Sequence, residues 1–377
     1  MGGAPRLRVL GIGKFYPPEY LGGLESAVVA LNAELVRGGC DVTYVVSAVR
    51  GRGGVSDVDG VRVVRARSFG TLFSQPLAPG LVLAARRVPA DVVHLHHPNP
   101  LGDLAALADR KRPLVVTQHS DVVRQRALWP FYGPAVRLAL ARARRIVVAS
   151  EPYRAVSREL AGFEEKVRVV PYGIDGARFE PRPETARGAA ALRAAWGGSG
   201  RPVVLAVGRL VGYKGFDVLL EAARGLDAAV VLVGTGPLER ELKAAAGANV
   251  TFAGRVDDAE LPAYYAACDV FCLPSVTIAE AFGVVLLEAM ASGKPLVTTR
   301  LPTGVMAVNR DGVTGLVVPP RDPVLLREAL RTVLEDDARR GEMGRVARRT
   351  YEAEYTSRVM AERYLTVYRE ALAGAGT

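Results

Sequence analysis

The chain has 377 residues, 49% hydrophobic and 23% charged, with 40 Gly, 24 Pro and 3 Cys, which is too long for one ordinary core and too balanced for a disordered or fibrous chain. Two packed domains are expected. Lys and Arg outnumber Asp and Glu by 49 to 39, and the excess is uneven: residues 1–180 hold 25 against 16, or +9, while residues 181–377 hold 24 against 23, or +1.

The first half should therefore meet something anionic, whether nucleic acid, an acidic membrane surface or a phosphorylated substrate. No nucleic-acid recognition module accompanies the charge, so no nucleic-acid partner is expected. No uncharged apolar run reaches the ~20 residues of a membrane-spanning helix, and residues 1–6 lead directly into a strand-like run; neither a secreted precursor nor an integral membrane protein is expected. Cys40, Cys268 and Cys272 are odd in number and lack ligand spacing, which fits buried thiols in a reducing cytosol. Arg6 stands where a myristoylation signal needs Ser or Thr. The protein is expected to be cytoplasmic.

From the N-terminus, short β-branched runs alternate with amphipathic helical stretches, the pattern of a doubly wound parallel sheet. Residues 8–12 read as a strand, 24–37 as a helix and 42–47 as the next strand. Asp57-Val58-Asp59-Gly60 between Val55 and Val61 reads as a hairpin turn. Strands follow at 92–95, 114–117 and 146–149, with a helix at 134–144 and a sixth strand at 167–170. Pro181-Arg182-Pro183 and Gly197-Gly198-Ser199-Gly200 flank a short helix, and the hinge is expected near Gly173–Phe179. Strands at 203–207, 229–233, 250–252, 270–273 and 296–298 then alternate with helices at 216–224, 238–246, 259–267, 284–291 and 324–335. Residues 357–373 read as a helix with no strand to serve, which should pack back on the first domain. The expected architecture is α/β, with two Rossmann-like halves facing across a cleft. These are residues 1–178, joined by 357–377, and residues 179–356. Ligands of such sheets bind at the carboxyl ends of their strands.

The strand-to-helix turns carry the candidate chemistry. The first runs from Gly11-Ile12-Gly13 to Gly22-Gly23; it is neither a dinucleotide fingerprint nor a phosphate loop. Gly22-Gly23, opening a helix, would let backbone N–H groups approach an anion, and a flexible turn is the plain alternative. His94, His96 and His97 end one strand and His119 ends the next, with Asp121 close by. His94 and His96 share a strand face, where hydrogen-bonded histidines are commoner than a metal site, and no metal is expected. His119 is the better functional candidate.

In the second half, Gly208-Arg209 and Lys214-Gly215 place a guanidinium and an ammonium five residues apart between a strand and a helix. Two such cations suit a diphosphate, one as a planar fork and one as a point charge, and a solvated surface pair is the alternative. Glu280 precedes the helix at 284–291 and Glu288 lies inside it among apolar residues. A buried Glu288 needs hydrogen-bonding partners, which a vicinal diol such as a ribose would supply. Glu280 would reach the hydroxyls of a second sugar, with amides near Gly283 facing phosphate oxygens; the plain alternatives are a cap-like acid at the helix start for Glu280 and an exposed helix face for Glu288.

Taken together, Gly208-Arg209, Lys214-Gly215, Glu280-Ala281-Phe282-Gly283 and Glu288 at a seven-residue gap resemble glycosyltransferase family 4, retaining GT-B enzymes that use nucleotide sugars. The resemblance covers essentially the whole chain. It implies that Arg209 and Lys214 hold the donor diphosphate, Glu288 the ribose hydroxyls, and Glu280 the transferred sugar, beside amides of Phe282-Gly283. Gly22 and Gly23 would approach the phosphates, Arg255-Val256 would line the base pocket, and His119 would lie at the sugar near its C6 side. The sequence departs from the family at Ala281, where Gly is frequent, and at Pro302-Thr303-Gly304, where many members have Gly-Gly.

Residues 119–125, Thr303-Gly304, Val308-Asn309 and 311–316 further resemble bacterial mannosyltransferases of cell-surface polysaccharide and O-antigen assembly. They imply transfer of a hexosyl unit, mannose from GDP-mannose, to a glycan or polyprenyl-diphosphate-linked acceptor. The alternatives are a UDP-sugar-dependent member of the same family or a nucleotide-sugar epimerase or hydrolase on the same architecture. Front-face transfer with no divalent cation is expected, with Arg209 and Lys214 neutralising the leaving group. Asp57-Val58-Asp59 spells the metal-binding pattern of the other glycosyltransferase fold, but its place in a hairpin turn favours a structural role. Arg124, Arg126, Trp129, Phe131, Tyr132, Arg137, Arg142, Arg144 and Arg145 mix cationic and aromatic side chains, which suggests a peripheral contact with an anionic membrane; an Arg-rich solvated surface is the alternative.

Overall fold

The computed structural model describes residues 6–18, 22–72, 75–121, 129–197 and 200–373. The chain divides into two compact units, Met1–Gly173 with Ser357–Thr377, and Ile174–Thr356, so the break falls ahead of the one drawn at 178/179.

The first unit holds strands β1 (Arg8–Ile12), β2 (Asp41–Ser47), β3 (Gly54–Val58), β4 (Val61–Ala66), β5 (Thr71–Leu72), β6 (Gln75–Pro76), β7 (Val92–His97), β8 (Leu114–Gln118), β9 (Arg145–Val148) and β10 (Val167–Val169). Eight of them form one sheet in the order β10-β9-β8-β7-β1-β2-β4-β3, parallel except for the β3–β4 hairpin. The central runs, such as VVHLHH in β7, are buried along their whole length, as strands covered on both faces must be. The covering helices are α1 (Gly23–Arg37), α2 (Gly80–Arg87), α3 (Pro100–Ala108), α4 (Trp129–Arg142) and α5 (Glu151–Val156). The expected hairpin turn is present: the Asp57 carboxylate accepts from the Gly60 N–H at 2.9 Å and Asp59 is left-handed at φ 53°. The glycines ending β1 serve packing, because a Cβ on Gly11 or Gly13 would lie 2.2 Å from the Tyr44 side chain.

The second unit holds α6 (Pro183–Ala195), β11 (Val203–Val207), α7 (Phe216–Ala223), β12 (Ala229–Val233), α8 (Glu239–Ala245), β13 (Val250–Gly254), α9 (Leu261–Ala267), β14 (Val270–Leu273), α10 (Val284–Ala291), β15 (Leu296–Thr299), α11 (Gly304–Val308), β16 (Gly315–Val318), α12 (Pro323–Glu335) and α13 (Asp337–Glu354). Its strands are all parallel, in the order β13-β12-β11-β14-β15-β16. The order reverses direction between β11 and β14, so the loops leaving the carboxyl ends of these two strands are where a ligand of such a sheet is expected. The last helix, α14 (Ser357–Ala373), belongs to the first unit. There the Tyr364 and Tyr368 hydroxyls bond Thr117 at 3.0 Å and His94 at 2.8 Å. Among the described residues no helix is long and apolar enough to cross a membrane, and all three cysteines are buried and free.

Candidate active site

Arg209 and Lys214 follow β11, Glu280 and Glu288 follow β14, and of these four predicted residues the structure joins Lys214 and Glu280 directly. After β11 the chain passes Gly208 and the exposed Arg209, makes a short 3-10 turn at Gly212–Lys214, and enters α7 through Gly215. Gly215 is left-handed (φ 67°), and a Cβ there would lie 2.1 Å from the Pro274 carbonyl on the neighbouring β14 loop. Only glycine allows that approach, and the approach brings the two loops into register. The buried Lys214 ammonium then donates to the Glu280 carboxylate at 2.6 Å, and the same oxygen accepts from the Ser275 hydroxyl at 2.9 Å. Arg209 makes no ion pair among the described residues, so its guanidinium is open to an incoming anion.

Glu280 leads into Ala281, the buried Phe282 and the left-handed Gly283 (φ 78°), which opens α10. The Gly304 N–H bonds the Ala281 carbonyl at 2.9 Å, so the Pro302-Thr303-Gly304 segment ties the start of α11 to this loop, with Thr303 capping α11. Glu288, one turn further along α10, is buried and accepts from Arg178 at 2.9 Å and from the Tyr265 hydroxyl at 2.7 Å, one donor on each oxygen. Burial raises its carboxyl above the ordinary range, and the Arg178 charge and the Tyr265 hydrogen bond counter the shift. Two donors leave the remaining lone pairs of a carboxylate to accept further hydroxyls. Arg255 is exposed and Val256 half-buried at the end of β13. Sequence reasoning missed Ser275, Arg178 and Tyr265. Arg178 and Tyr265 lie 110 and 23 residues from Glu288, and no local spacing links them.

In the first unit, Gly22 caps α1 with extended backbone (φ −120°, ψ 178°). The Glu25 carboxyl lies at this helix start; burial raises its pKa, while backbone hydrogen bonds from Glu25 and Gly22 and the charge of Lys14 lower it. His119 ends β8 with both ring nitrogens engaged: Nδ1 with the Tyr172 hydroxyl at 2.5 Å and Nε2 with His96 Nδ1 at 3.0 Å. Burial holds His94 near 3 and His96 and His119 well below the usual imidazole range, so all three are neutral. Asp121 bonds Tyr153, Ser157 and the Arg158 N–H. His94 and His96 are packed aromatic neighbours, ring centres 4.2 Å apart. His94 bonds Thr117 at 2.7 Å, and no cluster of three ligating side chains occurs among the described residues.

His97 behaves oppositely. Burial opposes its charge, but Asp103 at 3.0 Å and Glu159 at 3.7 Å outweigh that and raise it to about 9.

In the basic and aromatic stretch around α4, Arg137 and Arg144 are exposed, and Trp129, Tyr132, Arg142 and Arg145 are half-buried. Residues 122–128, with Arg124 and Arg126, lie outside the described residues, as does the side chain of Phe131. Tyr132 bonds Asp103, Arg142 bonds the carbonyls of Asp109 and Arg112, Arg145 pairs with Glu370 at 2.6 Å, and Arg137 rests on the Phe163 ring.

Residues 21–178 match the family model Glycosyltransferase Family 4, and residues 191–350 match Glycosyl transferases group 1. The chain is 37% identical over 358 residues to the D-rhamnosyltransferase WbpZ of Pseudomonas aeruginosa, covering 93% of each chain. It is 31% identical to O-antigen chain mannosyltransferase C of Escherichia coli, covering 97% of this chain and 99% of that one. Sucrose-phosphate synthase from Thermosynechococcus elongatus superposes with a TM-score of 0.82 at 23% identity, over 98% of this chain and 100% of that one. With matched models along both halves and two full-length relatives, the chain belongs to the family 4 (group 1) glycosyltransferases and has their GT-B fold.

Proposed function

We propose that this glycosyltransferase moves a mannose-type hexosyl unit, with retention at the anomeric carbon, from a GDP-sugar to a glycan or polyprenyl-diphosphate-linked acceptor in cell-surface polysaccharide assembly. The observation that carries the reading is the buried Lys214–Glu280 pair, on the same β11 loop as the exposed Arg209, which makes no ion pair among the described residues. A lysine held at a carboxylate by one short bond keeps donors for a diphosphate oxygen, and an exposed guanidinium offers a second, forked contact. Two similar full-length proteins are named for D-rhamnosyl and mannosyl transfer; D-rhamnose is 6-deoxy-D-mannose, so a manno-configured donor is the shared feature. Glu288, which accepts from only Arg178 and Tyr265 and so keeps lone pairs for hydroxyls, is assigned to the ribose, and Glu280 to the hydroxyls of the transferred sugar.

In the proposed step the bond from the anomeric carbon to the diphosphate oxygen breaks first and an oxocarbenium-like state forms. The acceptor oxygen bonds the same face of that carbon and its proton passes to a donor phosphate oxygen. Arg209, Lys214 and the helix starts at Gly215 and Gly283 stabilise the departing diphosphate. Because fixed protein charge meets the leaving group, turnover should persist in EDTA; loss in EDTA and recovery with manganese would overturn this part. The protein is proposed to act in the cytoplasm, at the inner membrane face where a lipid-linked acceptor would be presented.

A thermal-shift panel of GDP, UDP and ADP tests the donor, since a ligand of the native state raises the melting point as its concentration exceeds its Kd. GDP should give the largest shift; a larger shift with UDP would replace the guanine reading. Proton NMR of the product from GDP-mannose tests retention through the anomeric configuration.

A further inference from the structure

We infer that a basic, apolar-tipped face on the edge of the first sheet docks on an acidic phospholipid bilayer. The β3–β4 ladder runs past the named strands: Gly54 opposes Arg65, and Gly51 exchanges both backbone hydrogen bonds with Ser68, at 3.2 and 3.1 Å. That register sets Arg52 opposite Arg67 and Arg50 opposite Phe69. Alternation along the strand sends Ser68 inward, 3% exposed, and Arg67 and Phe69 outward. Arg50, Arg52 and Arg67 are all exposed, and none makes an ion pair among the described residues. From Gly60 to Ala90 the chain carries five arginines and no acidic residue.

The centre of this face is apolar. Phe69 is 67% and Leu77 45% exposed, and the two are joined by backbone bonds, Phe69 N–H to the Leu77 carbonyl and Leu77 N–H to the Gly70 carbonyl, each 2.9 Å. The Arg67 guanidinium lies 5.1 Å from the Phe69 ring centre. Phe69 and Leu77 also wall an apolar groove of about 490 Å3 with Pro76, Pro79 and Leu101. Single exposed apolar residues need no explanation; two large ones side by side over an apolar groove, edged by three unpaired guanidinia, match a headgroup–acyl boundary. The arginines meet lipid phosphates while Phe69 and Leu77 enter the apolar layer. Apart from Gln75 and the buried Asn99, whose Oδ1 is already taken by the Gly102 N–H, the groove is walled by apolar side chains, which favours an acyl chain over a nucleobase.

The inference extends the proposed use of a lipid-linked acceptor, but its test needs no turnover. Full-length protein is sedimented with phosphatidylcholine vesicles with and without phosphatidylglycerol. Wild type should pellet only with the acidic lipid. Each arginine at such a surface is worth about a fivefold change in partitioning, so Arg50→Ala/Arg52→Ala/Arg67→Ala should weaken it on the order of a hundredfold. Phe69→Ser should weaken binding even at low salt, and Arg137→Ala should leave it unchanged. The GDP-induced thermal shift of each variant reports the donor site separately, so loss of that shift would count against the proposed function and not against docking. Equal pelleting with neutral lipid, an unaffected triple variant, or arginine-dependent binding of single-stranded RNA in place of vesicles would overturn the inference.

Discussion

The Lys214 ammonium lies 2.6 Å from the Glu280 carboxylate, and both are buried between the loops that leave β11 and β14. Lys214→Ala should leave Glu280 with Ser275 as its partner and cost about 3 kcal/mol of stability, because an uncompensated buried charge remains. The double variant Lys214→Met/Glu280→Gln should regain most of that stability in urea melts while remaining inactive. Arg209→Ala, at an exposed position, should leave stability within about 0.5 kcal/mol of wild type and cut turnover on the order of a hundredfold. Normal turnover in both single variants would remove the diphosphate assignment.

Glu288 predicts a different kinetic signature. Its oxygens accept from Arg178 and Tyr265, so the side chain is fixed before any ligand arrives. Glu288→Gln presents an NH2 where the site holds two donors, and should raise the donor KM about 10- to 100-fold, the loss of a hydrogen bond to a charged group, with kcat little changed. Tyr265→Phe should raise it less, because Arg178 remains. A fall in kcat with KM intact would move Glu288 from ribose binding to the chemical step.

Much of this was legible in the sequence because strand-to-helix turns announce themselves. The run from Val203 to Val207 followed by Gly208-Arg209 and Lys214-Gly215 identifies both the strand and the loop it feeds, and the neighbouring loop with Glu280 lies beside it in space. The long α13 escaped notice for a physical reason. Its buried stripe is Met343, Gly344, Ala347, Thr350 and Tyr351, mostly small side chains, so the apolar period that marks a helix is faint. The partners of Glu288 and His119 were invisible because they come from distant segments. Arg178 and Tyr265 converge on α10 only in the folded unit, and Tyr172 reaches His119 across 53 positions. Burial also decided what spacing left open for the histidines: His94 and His96 are neutral packing groups, while His97, next in sequence, is charged because Asp103 and Glu159 face it.

That contrast gives a pH prediction with opposite signs. His97 is raised to about 9 in the folded state from an unfolded value near ~6.5. Its contribution is complete below pH ~6.5 and is lost as pH rises through about 9, on the order of 3 kcal/mol in all. His94, His96 and His119 are shifted down, so their contribution is present above ~6.5 and is lost as the pH falls below it, where the unfolded chain takes up protons. Urea melts should therefore place maximum stability near neutrality. His97→Gln should lower stability and flatten the alkaline limb; an unchanged slope from pH 7 to 9 would exclude His97 as its source.

Two glycines at opposite ends of α7 separate a conformational cost from a site-building one. Gly215 and Gly225 are both left-handed, at φ 67° and 80°. A Cβ on Gly225 meets nothing within 4 Å, whereas one on Gly215 would lie 2.1 Å from the Pro274 carbonyl. Gly225→Ala should cost only the left-handed backbone penalty, about 1 kcal/mol, with turnover intact. Gly215→Ala should cost more than that and, by pushing the β11 and β14 loops apart, should lengthen the Lys214–Glu280 contact and lower turnover toward that of Lys214→Ala. Stability and turnover measured together on the two variants distinguish the cases, and a Gly215→Ala enzyme with wild-type turnover would show that the close approach of the loops is dispensable for the site.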